Sequence, residues 1–526
     1  MAKDISEEKF SSKVSLNMIT NIVRVVVMAL VGLLMVPYYI DQFGMATYAL
    51  LPLVTSLTTY IQIASDSLGE SFARYLTIDI HNGDREHTNI TYSSSVIGMF
   101  RIMLLILPAI VLISLISPFI FSTGSAQNYE VQLMFFLVLL SSLLMSFITC
   151  LNSVYMAYNY LYWLYIIRVG HTLLQVGLIL MFFFVQGPSL ILLGVSYIVA
   201  TVLMVIFLFY GVKKIDPELK ISKSNYDKKH IREMSKLGGW SMVAKLGDLM
   251  FIQASMIVVN IMLGSQSQGE FSIATNVVSI VFTVCASIAA VGVPLTYKYY
   301  AEKDNEKMTI TLGIFTKFAG LIMLFPLAYI CLFAPQILSA WLSADYPNVV
   351  NMIRIMIPLC LSKCVINILE YIPILYAKVK TMSIAVCAIG ALNVIMAIIL
   401  VVCTDLDTYG VCIAWCISMF VLNIVFFPLY TSMITGIRKW TFYKPIIFNY
   451  VIFGVIMGLG LILCSVFTLP SKWIAIILSA LVSYVVYLLV AIRFGLSSKE
   501  KHTMSGYFPE RMRNIMNKIM GVRRTA

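Results

Sequence analysis

Charged residues are scarce in this chain of 526 residues. Asp, Glu, Lys and Arg together make up 12% of the sequence, whereas 60% is hydrophobic and the mean hydropathy is +0.90. Soluble domains contain about 25% charged residues, enough to cover their surface with groups that water solvates. A chain with half that share cannot build such a surface. The composition therefore excludes a soluble enzyme, a soluble nucleic-acid-binding protein and a disordered protein.

The sequence also lacks the alternation of polar and apolar residues that is typical of membrane β-barrels. Its apolar residues come in unbroken runs of about 20, a length that crosses a bilayer as an α-helix. No secretory signal peptide is expected, because the opening MAKDISEEKFSSK is polar and the first apolar run is long enough to span. The composition predicts an all-α polytopic membrane protein.

A metal-binding pattern is missing as well. The ten cysteines all lie in apolar stretches, and the pairs Cys360/Cys364 and Cys412/Cys416 come without carboxylate or histidine partners. Such cysteines are more often small core residues than metal ligands. We expect neither a metal nor a cofactor, and a coupling ion such as Na⁺ or H⁺ stays open.

What the sequence does contain is about fourteen apolar runs of spanning length. They are numbered here as spans 1 to 14: 14–38, 46–72, 88–116, 130–156, 161–185, 188–210, 236–261, 270–297, 308–333, 349–376, 381–404, 409–436, 444–468 and 472–494.

Lys and Arg are absent from the loops on one side of these spans: 39–45, 117–129, 186–187, 262–269, 334–348, 405–408 and 469–471. On the other side, eight lie between Lys213 and Lys236, and eight more between Arg493 and Arg524. Because cytoplasmic loops are enriched in these residues, both termini are predicted to be cytoplasmic. The net charge of +12 reflects this bias and is no evidence of a nucleic-acid partner. The end of the chain, 495–526, is predicted to be a basic amphipathic helix on the inner leaflet.

An internal repeat divides the chain. A shift of 220 to 223 residues lays spans 1–6 on spans 7–12, so that Gly69 meets Gly292 and Gly170 meets Gly390. We therefore predict an N-lobe, a basic cytoplasmic linker, a C-lobe, a pair of extra helices and a tail, at 1–210, 211–235, 236–436, 437–494 and 495–526. Two lobes of even span number should be related by a pseudo-twofold axis along the membrane normal, with a cavity between them.

The opening span ends in VPYYIDQFGMATYALLPL, with Gly44 and Tyr48 at its turn, and Asp66-Ser67-Leu68-Gly69 is followed by Ala73-Arg74-Tyr75. In these motifs and in its two six-helix units the chain resembles the multidrug/oligosaccharidyl-lipid/polysaccharide exporter superfamily, within it the polysaccharide flippases. The resemblance implies two lobes facing each other across a cavity that opens alternately to each side. It also implies a lipid-linked oligosaccharide as substrate, a prokaryotic inner membrane, possible association with glycan polymerase machinery and a monomer. Spans 13 and 14 are similar to those that border a lipid-tail groove in the lipid II flippase.

Basic residues outnumber acidic ones inside the predicted spans, and such groups usually face a cavity or a partner. The predicted substrate-binding residues are six cations: Arg24, Arg101, Arg168, Lys245, Lys317 and Lys363. Arg24 and Lys245 lie on the first span of each lobe, and Arg101 and Lys317 on the third. A pyrophosphate would suit them as counter-ion. For each cation, a snorkelling side chain or an internal ion pair is the alternative.

Five further residues are candidates for a gate or a coupling site: Asp66, Glu70, Arg74, Asp248 and Glu370. The first three lie on one helix face at four-residue spacing, where an intrahelical ion-pair ladder explains them equally well. Asp248 either neutralises Lys245 or binds a coupling cation.

Two other functions compete with the flippase. A cation-coupled multidrug exporter of the same superfamily needs carboxylates for its cargo, whereas span 1 contains Arg24 and no acid. A membrane glycosyltransferase or polymerase is disfavoured because the outer loops are short and the only Asp-x-Asp, Asp405 to Asp407, lies in a tight turn. We therefore predict a transporter and not an enzyme.

Overall fold

Helices account for every predicted span in the computed structural model, which describes residues 7–466, 470, 472–497 and 500–501. The first six are Glu7–Tyr48, Leu50–His81, Arg85–Ile120, Asn128–Ala157, Leu161–Gln186 and Leu190–Ile215. Spans 7 and 8 form the single long helix Lys228–Ala301, and span 9 is Asn305–Leu332. Spans 11, 13 and 14 are Val379–Cys403, Trp440–Val466 and Trp473–Gly495.

Spans 10 and 12 are interrupted. Span 10 consists of Pro347–Ile366, the 3₁₀ segment Asn367–Tyr371 and the short helix Ile372–Leu375. Span 12 consists of Asp407–Phe420, the π-helical segment Val421–Phe426 and Phe427–Thr435. Short 3₁₀ and π segments inside long helices often mark functional positions. A short helix, Ala334–Leu342, follows span 9.

The count of about fourteen spans is confirmed. Twelve described helices are long and apolar enough to cross a membrane. One of these, Met242–Ala301, is 60 residues long and contains two spans, and span 2 adds the shorter apolar stretch Leu50–Ile63. The predicted tail, 495–526, lies outside the described residues apart from 495–497, 500 and 501.

The chain divides into two compact units, Met1–Ser272 and Ile273–Ala526. In the first unit, span 4 is the central helix and packs against spans 2, 3 and 6, while span 5 packs against spans 1 and 6. In the second, span 9 packs against spans 10, 13 and 14, and span 12 packs against spans 10 and 11. Span 7 falls in the first unit, whereas the repeat assigned it to the C-lobe. One reason is that Oδ1 of Asn260 accepts a hydrogen bond of 2.9 Å from the amide of Ser122, in the loop between spans 3 and 4.

The internal repeat is visible in the backbone. Gly44 and Gly264, 220 residues apart, both interrupt a helix with positive φ, at (73°, 163°) and (86°, 174°). Asp84 and Asp304, again 220 apart, both cap the N-terminus of the next helix, accepting hydrogen bonds from the amides of His87 and Lys307. Two halves of the chain thus turn in the same way at the same positions.

The predicted cytoplasmic linker is held against the N-terminal half of span 3. Its first residue after span 6, Asp216, is 4% exposed, forms an ion pair of 2.5 Å with Arg85 and accepts a hydrogen bond from the Tyr158 hydroxyl. Burial opposes ionisation of this carboxyl, but the hydrogen bonds from Tyr158 and Arg85 outweigh burial and lower its pKa. Burial, together with the bond to Asp216, raises the pKa of Tyr158 to about 12.

Further along the linker, side chains of span 3 bind its backbone directly. Asn89 Oδ1 accepts from the amide of Lys220 at 2.9 Å, and the Ser93 hydroxyl donates to the carbonyl of the same lysine at 2.8 Å. The Ser94 hydroxyl accepts from the amide of Asp227 at 2.9 Å. The linker therefore has a defined path along span 3.

The turn at Gly44 gives the first testable prediction. Its φ and ψ lie in a region that is essentially restricted to glycine, so Gly44→Ala should destabilise the folded protein by about 1–3 kcal/mol. Nothing lies within 4 Å of an added Cβ at Gly44, so the cost would come from the backbone and not from a clash. Thermal unfolding of the purified protein in detergent measures it.

Gly32→Ala is the matched control, because Gly32 lies in the same helix and its added Cβ also meets nothing within 4 Å. In a helical conformation alanine is the better residue, so this variant should be as stable as the wild type or more so. Equal unfolding temperatures for the two alanine variants would contradict the assignment of strain to Gly44.

Candidate functional site

Arg24 lies on span 1 and faces span 5. Among the described residues, no carboxylate lies within ion-pair distance of its guanidinium. Instead it donates to Oδ1 of Asn21, at 3.1 and 2.9 Å, and lies 5.4 Å from the ring centre of Tyr165 on span 5. These contacts orient the cation, and they give it no carboxylate partner among the described residues.

The N-terminal part of span 1 is fixed to the start of span 5 by Asn17. Its side-chain amide donates to Oδ1 of Asn159 at 2.7 Å, and its oxygen accepts from the amide of Tyr162 at 2.7 Å. Asn17 is 9% exposed. This connection holds Tyr165 beside Arg24, and sequence reasoning did not identify it because the partners are more than 140 residues apart.

Arg168 and His171 continue the same helix. Arg168 is three residues after Tyr165, so both lie on the face of span 5 that is turned to span 1. His171 Nε2 lies 3.2 Å from the hydroxyl of Thr201 on span 6, a contact typical of a satisfied core histidine. Arg24, Tyr165 and Arg168 are called the basic strip below.

Arg101 lies elsewhere in the first unit. Its guanidinium is 4.1 Å from the ring centre of Tyr226, which belongs to the linker after span 6. Lys245, on span 7, is half-buried and Asp248 is exposed. The structure gives Arg101 different neighbours from Arg24.

Lys317 is paired inside the second unit. Its Nζ forms an ion pair of 2.9 Å with Glu500, just beyond span 14, and lies 4.7 Å from the ring centre of Phe448 on span 13. Although burial opposes ionisation of Glu500, hydrogen bonds from Ser497 and Lys317 lower its pKa. The internal ion pair that was the alternative to substrate binding is therefore present for Lys317.

Lys363 and Glu370 form a second ion pair in this unit, between span 10 and its 3₁₀ segment. The two side chains are 20% and 23% exposed, and Nζ of Lys363 lies 5.9 Å from the ring centre of Phe282 on span 8. A cation and a carboxylate of the predicted site are thus in direct contact at the place where span 10 changes its helical pitch.

The interrupted segment of span 12 lies beside this pair. Asn423, in the π-helical segment, is fully buried and donates to the hydroxyl of Ser362 at 3.1 Å. Ser362 is the residue before Lys363. The π-helical segment of span 12 is therefore hydrogen-bonded to the α-helical part of span 10, next to the lysine of the ion pair. Sequence reasoning missed Asn423, although an asparagine inside an apolar run was a usable signal.

The structure says less about the other predicted gate residues. The side chains of Asp66 and Glu70 lie outside the described residues, and Arg74 is exposed. The ladder and the gate therefore both stay hypotheses.

The cysteines were expected to be small core residues and not metal ligands, and two of them are joined to each other instead. Cys285 on span 8 and Cys364 on span 10 form a disulfide. Cys360 and Cys412 are buried as single thiols. Within the described ranges, no group of three His, Cys, Asp or Glu side chains could hold a metal ion.

The fold was compared with solved structures of known proteins. The fold is similar to an inward-facing multidrug resistance MATE family transporter of the MOP superfamily, with TM-score 0.65 and 19% identity over 77% of this chain and 94% of the other. It is also similar to a MOP superfamily transporter from Pyrococcus furiosus described by the reverse polarity of its binding pocket. That match has TM-score 0.57 and 18% identity over 81% of this chain and 95% of the other. The fold is that of the multidrug/oligosaccharidyl-lipid/polysaccharide (MOP) exporters.

The family follows from the sequence comparison. Residues 14–300 match the family described as polysaccharide biosynthesis protein, more than half of the chain, and the protein belongs to it. A membrane protein of Bacillus subtilis strain 168, EpsK, is 24% identical over 438 residues, covering 83% of this chain and 86% of that protein. The protein is thus a multi-pass membrane protein of this family with the fold of MOP superfamily transporters, and the predicted resemblance and all-α class are confirmed.

The ion pair of span 10 generates the second testable prediction. Because both groups are largely buried, Glu370→Gln should leave the Lys363 charge uncompensated and destabilise the protein by about 3 kcal/mol or more. The double variant Lys363→Met/Glu370→Gln should recover part of that loss, with a coupling free energy of about 1–3 kcal/mol. Chemical unfolding of the four proteins in detergent provides the double-mutant cycle.

Lys298 and Glu302 form the control pair. They lie 3.8 Å apart at the exposed end of span 8. An exposed pair contributes about 0–1 kcal/mol, so its cycle should give a much smaller coupling. Additive effects of the Lys363 and Glu370 substitutions would show that the contact does not stabilise the fold.

Proposed function

We propose that this transporter is a flippase, which moves a polyprenyl-pyrophosphate-linked oligosaccharide from the inner to the outer leaflet by alternating access. Membership of the polysaccharide biosynthesis family supports a membrane exporter or flippase. The observation that carries the finer proposal is the basic strip, since Arg24 lies in a spanning helix with an amide and an aromatic ring as neighbours.

A pyrophosphate matches this strip in charge and geometry. It carries at least two negative charges, and a guanidinium binds phosphate oxygens with two parallel hydrogen bonds. A charge inside a membrane is unfavourable without a counter-ion, so a cation whose fixed neighbours are neutral favours a substrate that brings the anion. In the proposal Arg24 and Arg168 bind the pyrophosphate, and Lys245 stays a candidate third cation.

Lys363 and Glu370 are the candidates for release and coupling. The carboxylate of Glu370 holds Lys363 internally. A coupling cation that binds Glu370 would free the lysine to attract the anion, and loss of the cation would restore the internal pair. The 3₁₀ segment of span 10 and the π-helical segment of span 12 would rearrange locally, while the rest of both spans stays helical.

Spans 13 and 14 supply a groove for the lipid tail. Both pack against span 9, and together they enclose a cavity of about 520 Å³ lined by residues such as Phe325, Leu332, Leu459 and Val486. The hydroxyl of Tyr329 in its wall is satisfied by Ser479, at 2.7 Å, and by the carbonyl of Ile476, at 3.0 Å. The wall therefore offers apolar surface and few free polar groups, as a polyprenyl chain requires.

The orientation belongs to the same proposal. Both termini and the linker lie in the cytoplasm, and the protein resides in the inner membrane of a prokaryote. The support is the absence of Lys and Arg from one set of loops. It acts as a monomer on a lipid-linked glycan within the lipid bilayer, in possible association with glycan polymerase machinery.

A cation-coupled multidrug exporter is the alternative within the superfamily, and similarity to MATE transporters is consistent with that fold. It would require a carboxylate in place of the uncompensated cation at Arg24. Uptake of a cationic dye into inverted vesicles, with no transport of a lipid-linked glycan, would favour it.

The third prediction tests the basic strip. Arg24→Gln and Arg168→Gln should each slow flipping of a fluorescent polyprenyl-pyrophosphate oligosaccharide in proteoliposomes by about tenfold or more, because each removes charge-assisted hydrogen bonds to the anion. Arg24→Lys should retain part of the rate, since a point charge replaces the attraction but not the planar fork. Flipping is read as label that becomes accessible to a membrane-impermeant quencher.

Lys214→Gln is the control. This lysine is exposed at the inner end of span 6, and its substitution also removes one positive charge. It should flip at the wild-type rate. Normal flipping by both arginine variants, with unfolding temperatures equal to that of the wild type, would refute the assignment of pyrophosphate binding to the strip.

The fourth prediction tests the groove. Val482 lines the cavity and Val485 on the same helix does not, although the two are similarly exposed, at 58% and 55%. Val482→Trp should fill the groove and slow flipping of a long-chain substrate, whereas Val485→Trp should leave the rate unchanged. The same proteoliposome assay compares the two. Equal rates for both variants would rule out a role of the groove in transport.

A further inference from the structure

A basic cavity lies in the first unit, away from the basic strip and from the lipid-tail groove. It has a volume of about 490 Å³ and is bounded by span 3, by Phe147 of span 4 and by the linker after span 6. Two cations line it, Arg101 of span 3 and Lys223 of the linker, and its lining contains no acidic residue.

The polar side of this cavity is preorganised. The guanidinium of Arg101 lies 4.1 Å from the ring centre of Tyr226, which fixes the cation without neutralising it. The linker that carries Lys223 and Tyr226 is bound to span 3 through Asn89, Ser93 and Ser94. Both cations are therefore held on the same side of span 3 before any ligand arrives.

The cavity also lies where span 3 passes from polar to apolar surroundings. Ser93 and Ser94 are fully buried under the linker, whereas Leu104 and Leu105, about three turns further along, are 53% and 79% exposed. Exposed leucines on a spanning helix are suited to contact with hydrocarbon. Phe100 and Leu104, which line the cavity, provide an apolar wall on that side.

We propose that this cavity binds the phosphate of an anionic phospholipid of the cytoplasmic leaflet. Arg101 and Lys223 would bind the phosphate oxygens, and an acyl chain would lie along Phe100 and Leu104. Basic pockets between transmembrane helices on the cytoplasmic side are suited to anionic headgroups. Among membrane components, zwitterionic lipids offer such a pair of cations no net charge, so charge complementarity selects an anionic lipid.

This assignment gives Arg101 a role other than the substrate binding predicted from sequence. It does not depend on the proposed substrate, because none of the residues of the basic strip lines the cavity, but the choice of the cytoplasmic leaflet rests on the proposed orientation. A lipid bound here would bridge span 3 and the linker and so stabilise the packing of the linker against the first unit.

The test compares binding of phosphatidylglycerol and phosphatidylcholine to the purified full-length protein in detergent, by native mass spectrometry and by the lipid-induced rise in unfolding temperature. The wild type should prefer phosphatidylglycerol. Arg101→Gln/Lys223→Gln should bind it about 25-fold more weakly, at about fivefold for each cation removed near the membrane surface. Its affinity for phosphatidylcholine should not change.

Lys213→Gln/Lys214→Gln is the matched control, since it removes two exposed lysines of span 6 that do not line the cavity. It should bind phosphatidylglycerol like the wild type. Lys223→Glu, on the exposed linker, is a second variant that leaves all spans intact and should lose more affinity than a single Lys223→Gln.

Three results would overturn the proposal. The first is an equal affinity for phosphatidylglycerol in the wild type and in both cavity variants. The second is an equal loss in the control, which would show attraction to surface charge in general. The third is displacement of bound phosphatidylglycerol by a polyprenyl pyrophosphate at an equimolar ratio, which would assign the cavity to the transported lipid.

Discussion

A polar group inside a lipid bilayer has no water to bind, and this constraint decides where the helices of this protein run, break and carry charge. Buried hydroxyls on the spans return to their own helix, as when Thr316 donates to the carbonyl of Leu312 at 2.6 Å. Where a helix departs from the α pattern, a neighbouring span supplies the partner, as Ser362 does for Asn423 at 3.1 Å. Charges follow the same rule at a larger cost, so Lys317 and Lys363 each lie against a carboxylate. A cation without such a carboxylate is then an exception that calls for a function.

The internal repeat shows that backbone turns and caps recur in both halves of the chain, whereas the ion pairs differ between the halves. The turns at Gly44 and Gly264 and the caps at Asp84 and Asp304 recur at one spacing, because each pair performs the same backbone task. Charges are not repeated in this way. Asp216 closes span 6 with an ion pair, whereas the end of span 12 uses Gly436 in a left-handed conformation. The backbone is thus duplicated, while each half has its own distribution of charge. Function that depends on charge has to be assigned to each half separately.

Much of the fold could be predicted from the sequence, and the candidate site could be predicted only in part. Spans 1 to 14 follow from apolar run length, a property of consecutive residues. The 3₁₀ segment of span 10 had a local signal in Pro373, since a proline removes the helical hydrogen bond to the carbonyl four residues earlier and clashes with it, and that residue is Leu369 within the segment. The ion-pair partners of the charged residues had no such local signal. Glu500 is 183 residues away from Lys317, and no sequence feature near either residue indicates the other. Arg101 and Lys317 were paired by analogy between repeats, yet their neighbours are a tyrosine of the linker and a glutamate after span 14.

These differences between the cations have a consequence for transport. A site that binds a pyrophosphate must also let it go, so its cations cannot all be permanently available. In the proposed function, Arg24 captures the anion because none of the described carboxylates pairs with it, whereas Lys363 is bound by Glu370 and exchanges one anion for another. Lys317 is paired with a glutamate beyond the last span and serves to attach that segment to span 9. Arg101 lies where a lipid phosphate can reach it. In these proposals, four intramembrane cations that look alike in the sequence have different roles (capture, exchange, attachment and lipid contact) according to the neighbour that the fold gives each one.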